Sequence, residues 1–282
     1  MHLVSKCHMT FLIFLSLLLF DCGYLQNERT GLTWLHLEAG LSLGTFTDSK
    51  SAGKEQAAIY ILKIDPQFFD INLYCASQFD KQSHTMRGWA QQFDLIAVTN
   101  AGMFATDLIT SVGYLKSGGH LNNSKINSSH KCIFACQPLD STVTPVKIID
   151  LTCDDFQSYE NRYYSFLQSI RMISCRGKNV WEPQEDSWSI AALGMDSDGQ
   201  LFFLYSGFPR SVHEFIEILL DLPLGISSTM YLEGGIQAGI YLSAGGITID
   251  LPGENRSEIL LNNDSQMGRP LPNVIGVRRI LN

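Results

Sequence analysis

The sequence has no long run of lysine or arginine, and its formal net charge is -8 over 282 residues. Nucleic acid is therefore not the expected partner, because a phosphate backbone is held by clustered cations. A single phosphate diester needs only one or two placed cations, so the acidic balance leaves such a substrate open. Proline numbers only 9. No Pro-rich or Ser-rich linker and no repeat interrupts the chain, which argues for one domain, 33–282, rather than tethered modules. No His–Cys set stands at metal-ligand spacing, so neither metal nor cofactor is expected. Beyond the N-terminus no apolar run approaches the roughly 20 residues that cross a bilayer. Apolar residues themselves are plentiful, at 45% against 17% charged, which excludes a disordered or fibrous chain.

The first residues read as an export signal. Lys6 precedes Phe11 to Phe20, a run nearly all of Phe, Leu and Ile, too short to span a membrane and suited to a signal h-region. The expected signal is 1–22. Cys22 follows the run at once, as in a bacterial lipoprotein acylated at that cysteine. Leu19-Phe20-Asp21 departs from the small residues such a signal carries, and a plain signal peptide or uncleaved anchor is the alternative. The expected location is periplasmic or at the cell envelope, with membrane attachment through Cys22 if it is lipidated.

Five cysteines remain after the signal: Cys75, Cys132, Cys136, Cys153 and Cys175. Disulfides persist outside the cytoplasm, but an odd count leaves one thiol unpaired and spacing does not give connectivity. Cys132 and Cys136 share an apolar run and read as buried thiols packed as small hydrophobes.

Short apolar runs predict strands over 58–64, 71–74, 95–99, 147–151, 189–195, 201–206, 229–232, 239–242 and 274–278. Asp198-Gly199 between two of them predicts a hairpin. Helices are predicted near 83–93 and after Ser211, where Ser211-Val212-His213-Glu214 forms a capping box. Val212, Phe215, Ile216, Leu219 and Leu220 then follow at one-face helical spacing. Strands that outnumber helices without strict alternation predict an α+β domain with a mixed, largely antiparallel sheet.

Three segments are more polar and glycine-punctuated than strands require. The first is Thr99-Asn100-Ala101-Gly102-Met103-Phe104, continuing past Asp107 to Gly113-Tyr114. The second is Gln168-Ser169-Ile170-Arg171, an arginine inside an apolar stretch. The third is Tyr231-Leu232-Glu233-Gly234-Gly235, a carboxylate at a strand end. Paired glycines let backbone approach a ligand closely. A planar guanidinium among apolar neighbours suits a phosphate or a carboxylate. A carboxylate beside glycines can serve as base, acid or nucleophile. Asp107 and Asp198 are possible second carboxylates, although the Asp198 turn explains itself. His213 stands at the positive end of its helix, where a phosphate could bind. Each signal also has a structural explanation.

In order and spacing, Asn-Ala-Gly-Met-Phe, Val-Gly-Tyr-Leu, Gln-Ser-x-Arg, His-Glu-Phe and Tyr-Leu-Glu-Gly-Gly resemble the phosphodiester glycosidase domain family, from about Trp34 to Arg279. The resemblance implies a site built from Asn100, Gly102, Phe104, Gly113, Gln168, Arg171, Glu233, Gly234 and Gly235. Many members carry Asp where this chain has Glu233, and Ser or Thr after the glycines where it has Ile236-Gln237. The implied activity is hydrolysis of a sugar-1-phosphodiester at its glycosidic bond. In it Arg171 and backbone N–H groups hold the phosphate, and Glu233 steadies the anomeric centre or activates water. The competing readings are a non-catalytic binder of sugar phosphates or anionic glycans, and a glycosidase of ordinary O-glycosides. Asn-x-Ser matches at Asn122, Asn127, Asn255 and Asn263 read as chance.

Overall fold

The structure, a computed structural model, describes residues 24–27, 31–47, 58–253 and 268–280. The expected signal segment with Cys22, and the Asn255 and Asn263 positions, lie outside these residues. The strands are β1 (Tyr24–Asn27), β2 (Leu32–Glu38), β3 (Leu41–Phe46), β4 (Ile59–Ile64), β5 (Phe69–Cys75), β6 (Ala97–Asn100), β7 (Leu115–Ser117), β8 (His120–Asn123) and β9 (Cys132–Pro138). They continue with β10 (Val146–Asp150), β11 (Tyr163–Ile173), β12 (Trp188–Asp196), β13 (Leu201–Arg210), β14 (Ile226–Gly234), β15 (Gly239–Ala244), β16 (Ile247–Pro252) and β17 (Asn273–Arg279). Three helices accompany them, α1 (Met86–Phe93), α2 (Gln157–Glu160) and α3 (Val212–Asp221).

Two sheets form. The larger runs β1-β2-β3-β4-β13-β12-β14-β11-β7-β8, with β9 beside β11 and β10 beside β9. The smaller runs β16-β15-β6-β17-β5. Both carry apolar side chains on two faces, so their strands read as continuous apolar runs rather than alternating ones. On β13, Leu201, Phe203 and Tyr205 join the core between the sheets. Phe202 and Leu204 turn outward to a second core under α3. On β17, Ile275 and Val277 face inward while Val274 packs under α1 with Trp89. Cys132 and Cys136 sit in the inner core as free buried thiols.

The two long helices are the predicted ones. Thr85 caps α1 by accepting the Gly88 N–H at 3.1 Å. Ser211 caps α3 by accepting the Glu214 N–H at 3.1 Å. Val212, Phe215, Ile216 and Leu219 of α3 are buried against the larger sheet; losing one such aromatic would cost about 3–5 kcal/mol. The hairpin from β12 to β13 turns at Gly199, φ +85°.

The expected largely antiparallel pairing is found, and only its mixed character needs correction. Every described pairing between named strands is antiparallel. Hairpins account for sequential neighbours such as β12 and β13, and pairs distant in sequence, such as β4 and β13, are antiparallel as well. With 12% of residues helical and 50% in strands, the few helices expected are found, and the domain is more β-rich than a balanced α+β one.

One crossing matters for function. β14 ends in the larger sheet and β15 begins in the smaller, so Gly234 to Gly239 carry the chain between sheets.

Candidate functional site

Glu233 stands at that crossing. Ala191 of β12 faces Glu233 while the next residue, Ala192, faces Tyr231, so Leu232 has no counterpart. Such a bulge re-aims the side chain that follows it. Glu233 is 8% exposed, and its Oε1 accepts the Gly234 N–H at 3.0 Å. Burial pushes its pKa up to about 7, the single bond from Gly234 offsetting only part of the cost. A carboxyl poised there holds or releases a proton near neutrality.

The glycines after it have different reasons. A Cβ on Gly234 would lie 2.0 Å from the Tyr231 hydroxyl and 2.5 Å from Trp188 Cδ1. Gly235 has φ +66° and nothing within 4 Å of where its Cβ would be, so a ligand can approach its backbone. Asn100, at the end of β6, holds the far side of the crossing. Its Nδ2 donates to Gln237 O at 2.7 Å, and its Oδ1 accepts the Gly239 N–H at 3.0 Å.

A second group gathers on β11. The Gln168 amide is filled. Its Oε1 accepts from the Tyr114 and Asn127 N–H groups at 3.1 and 2.8 Å. Its Nε2 donates to the Asn127 and His130 carbonyls at 2.9 and 2.8 Å. A Cβ on Gly113 would meet Gln168 O at 2.5 Å, and one on Gly102, φ +73°, would meet Leu167 Cδ1 at 3.2 Å. Phe104 bridges to Ser111 and packs in the core under α1. These residues shape and brace the wall next to Asn100.

Arg171 lies opposite Met230 of β14. That is three residues from Glu233, or about 10 Å along the strand. Its Nη1 donates to both carboxylate oxygens of Asp150, at 2.9 and 3.0 Å, and to Thr152 Oγ1 at 2.5 Å. Asp150 is 2% exposed. Burial raises its pKa, but bonds from the Cys175 N–H, Thr152 and Arg171 outweigh that and hold it below the usual carboxylate range. The Arg171 Nε is buried without a partner. Arg171 also lines an open cleft of about 350 Å³ with Ser129, Lys131, Ile170, Trp181 and Glu182. Trp181 joins this cleft to β14, because its ring lies 5.7 Å from that of Tyr231.

Two expected residues stand apart. Asp107 is exposed and closes its own turn, accepting from the Ile109 and Thr110 N–H groups and the Thr110 hydroxyl. Its pKa is lowered by those bonds, the Thr110 hydroxyl first. The His213 Nδ1 lies 2.6 Å from Trp181 O, which ties α3 to the back of the cleft wall. Sequence reasoning missed Asp150, Lys131, Trp181 and Trp188, and gave Tyr231 no role beyond its place in the third segment. Among the missed residues Asp150 carried a signal: a buried arginine needs a carboxylate, and Asp150 lies near the end of a predicted strand.

Asp150, Cys153 and Cys175 bring ligand-type atoms within 4.8 Å of one another. Cys153 and Cys175 are joined as a disulfide, and metals are held by thiolates. The Asp150 carboxylate is filled by Arg171, Thr152 and the Cys175 N–H, so the group does not fit a resident metal.

The phosphodiester glycosidase family matches residues 93–278 of the chain. No curated protein matches. Among solved structures, the chain is similar to the zebrafish N-acetylglucosamine-1-phosphodiester alpha-N-acetylglucosaminidase catalytic domain, auto-inhibited by its pro-peptide. The identity is 15% and the TM-score 0.59, over 90% of this chain and 86% of that one. A hypothetical protein from Synechocystis is 12% identical, TM-score 0.54, over 87% and 63%. A protein described as exported, from Burkholderia pseudomallei, is 11% identical, TM-score 0.51, over 78% and 74%. At these identities the structural likeness speaks to fold.

Proposed function

The chain belongs to the phosphodiester glycosidase family, a family of hydrolases, and on that premise we propose that it hydrolyses a sugar-1-phosphodiester at the bond between the anomeric carbon and the bridging oxygen. The observation that carries the reading is Glu233: a buried carboxyl, re-aimed by a bulge, titrating near neutrality, beside backbone that Gly235 leaves open.

In the proposed reaction, ionised Glu233 takes a proton from water as that water attacks the anomeric carbon. The carbon–oxygen bond breaks and its electron pair leaves on the bridging oxygen. The products are the free sugar and a phosphate monoester. The monoester is a good leaving group, so a strong general acid is unnecessary, unlike in most glycosidases with two carboxylates. The backbone at Gly102 and at Gly235, beyond the Gly234 N–H that Glu233 takes, and the unspent edge of the Arg171 guanidinium are assigned to the phosphate. Asn100, Gln168 and Gly113 hold that geometry rather than touch the substrate.

We further propose that the protein is exported. The disulfide between Cys153 and Cys175 supports this, since such bonds persist in oxidising compartments. Among the described residues no helix is long and apolar enough to cross a membrane. Lipid attachment at Cys22 is tested by metabolic labelling with a fatty acid; label persisting in Cys22→Ala rejects it.

The activity is tested by incubating the purified protein with an N-acetylglucosamine-1-phosphate diester and following both products by mass spectrometry. Release of sugar and monoester, lost in Glu233→Gln and Arg171→Ala, supports the reading. A folded protein that binds but does not turn over a panel of such diesters is a binding protein instead.

A further inference from the structure

Tyr231 is a buried phenol next to the proposed base, and the reaction described above gives it no role. It is 5% exposed. On one side its ring meets Trp181 of the cleft. On the other, Trp188 Nε1 donates to its oxygen at 3.0 Å. A tyrosine hydroxyl has one proton to give as well as lone pairs to accept with. With Trp188 as the donor, the Tyr231 proton must point elsewhere, and among the described residues no group accepts it.

The position of the hydroxyl is defined by a missing side chain. A Cβ on Gly234 would stand 2.0 Å from it, so the phenol fills the space that any other residue at 234 would occupy. It thereby lies over the backbone immediately after Glu233. The next residue, Gly235, is the open backbone position. A buried donor left without a partner is costly, and this one stands against Gly234, next to the open position of Gly235.

We propose that Tyr231 is a further hydrogen-bond donor of the site, its oxygen fixed by Trp188 and its proton offered to the substrate's phosphate group as that group lies against the Gly234–Gly235 backbone. The inference rests on the glycosidase reading for its ligand. Burial, and then the charge of Glu233, push the phenol's pKa up, so it stays protonated and donates throughout the working range. It acts without changing charge, which leaves the neutral-pH titration of activity to Glu233.

The test uses the full chain and separates a donor from a packing residue. Tyr231→Phe keeps the ring and removes the proton. Loss of a hydrogen bond to a charged group should lower kcat/KM on the diester about 10- to 100-fold, with a comparable loss of affinity for inorganic phosphate by calorimetry. That variant also strands the Trp188 N–H, so Tyr231→Phe with Trp188→Phe is the second protein. Replacing both partners by apolar groups can restore stability. The expected result is a recovered melting temperature with turnover and phosphate binding still impaired. Recovery of both functions in the double variant, or wild-type turnover and phosphate affinity in Tyr231→Phe, overturns the proposal. Turnover by the parent with no effect of Tyr231→Phe rejects the donor and keeps the glycosidase reading. No turnover by the parent rejects that reading, and the phosphate titration still judges Tyr231; a parent that does not bind phosphate overturns it.

Discussion

Glu233 makes stability depend on pH in a direction that its burial dictates. Its folded pKa is raised from 4.5 to about 7, so between those values the folded protein holds a proton that the unfolded chain releases. Stability therefore falls as pH rises through that window. The Glu233 contribution is most favourable below about 4.5, where both states are protonated. Above about 7 both are ionised and the full penalty is present. At 1.36 kcal/mol per pH unit, the shift corresponds to about 3 kcal/mol. Glu233 is 8% exposed, so solvent screening removes little of it. Glu233→Gln keeps the shape and abolishes the titration. Denaturant unfolding of both proteins from pH 4 to 9 should show wild type losing about 3 kcal/mol relative to the variant between pH 4.5 and 7. Parallel stability curves would refute the claim that the carboxyl is buried and held protonated. The same titration should give kcat/KM a limb rising near pH 7, because the base works ionised.

Other outcomes follow from single contacts. Gly234→Ala puts a methyl where the Tyr231 hydroxyl stands; overpacking of this kind should cost about 1–3 kcal/mol by thermal unfolding and abolish turnover. Asn100→Ala leaves the Gly239 N–H without its acceptor and the Gln237 carbonyl without its donor, which should cost about 1–3 kcal/mol, while Asn100→Asp sets a buried carboxylate oxygen against that carbonyl and should cost no less. Arg171→Ala strands the buried Asp150 carboxylate and should destabilise by about 3–5 kcal/mol; Asp150→Asn introduced alongside it removes the charge but also one acceptor for the Thr152 and Cys175 donors, and should recover only part of that loss. Cys153→Ser with Cys175→Ser opens a link across 22 residues and should cost about 3 kcal/mol in denaturant unfolding.

Much of the scaffold was legible because local signals agreed with it. The α3 helix announced itself by its Ser211 cap and by Val212, Phe215, Ile216 and Leu219 at one-face spacing. The β12–β13 hairpin did so by Asp198-Gly199. Glu233, Gly234 and Asn100 could be singled out as unusual residues at strand ends, and the structure joins them through the Gly234 to Gly239 crossing. What was not legible depends on long-range pairing. Alternation along Tyr231-Leu232-Glu233 does not reveal the bulge, which exists only in relation to Ala191 and Ala192 of another strand. The partner of Arg171 is 21 residues away, and many carboxylates stand at such distances. Trp181 and Trp188 flank a polar segment without periodicity, so nothing local marks them as walls of a site. Largely antiparallel pairing was legible, but not that it extends to every described pair, because apolar runs buried on both faces look alike in parallel and antiparallel sheets.

The most direct test of the central claim is which bond breaks. Hydrolysis of an N-acetylglucosamine-1-phosphate diester in oxygen-18 water, with both products weighed by mass spectrometry, locates the oxygen delivered by the attacking water. The account predicts label in the sugar and an unlabelled phosphate monoester, because water attacks the anomeric carbon beside Glu233. Label in the phosphate would mean attack at phosphorus and would contradict it.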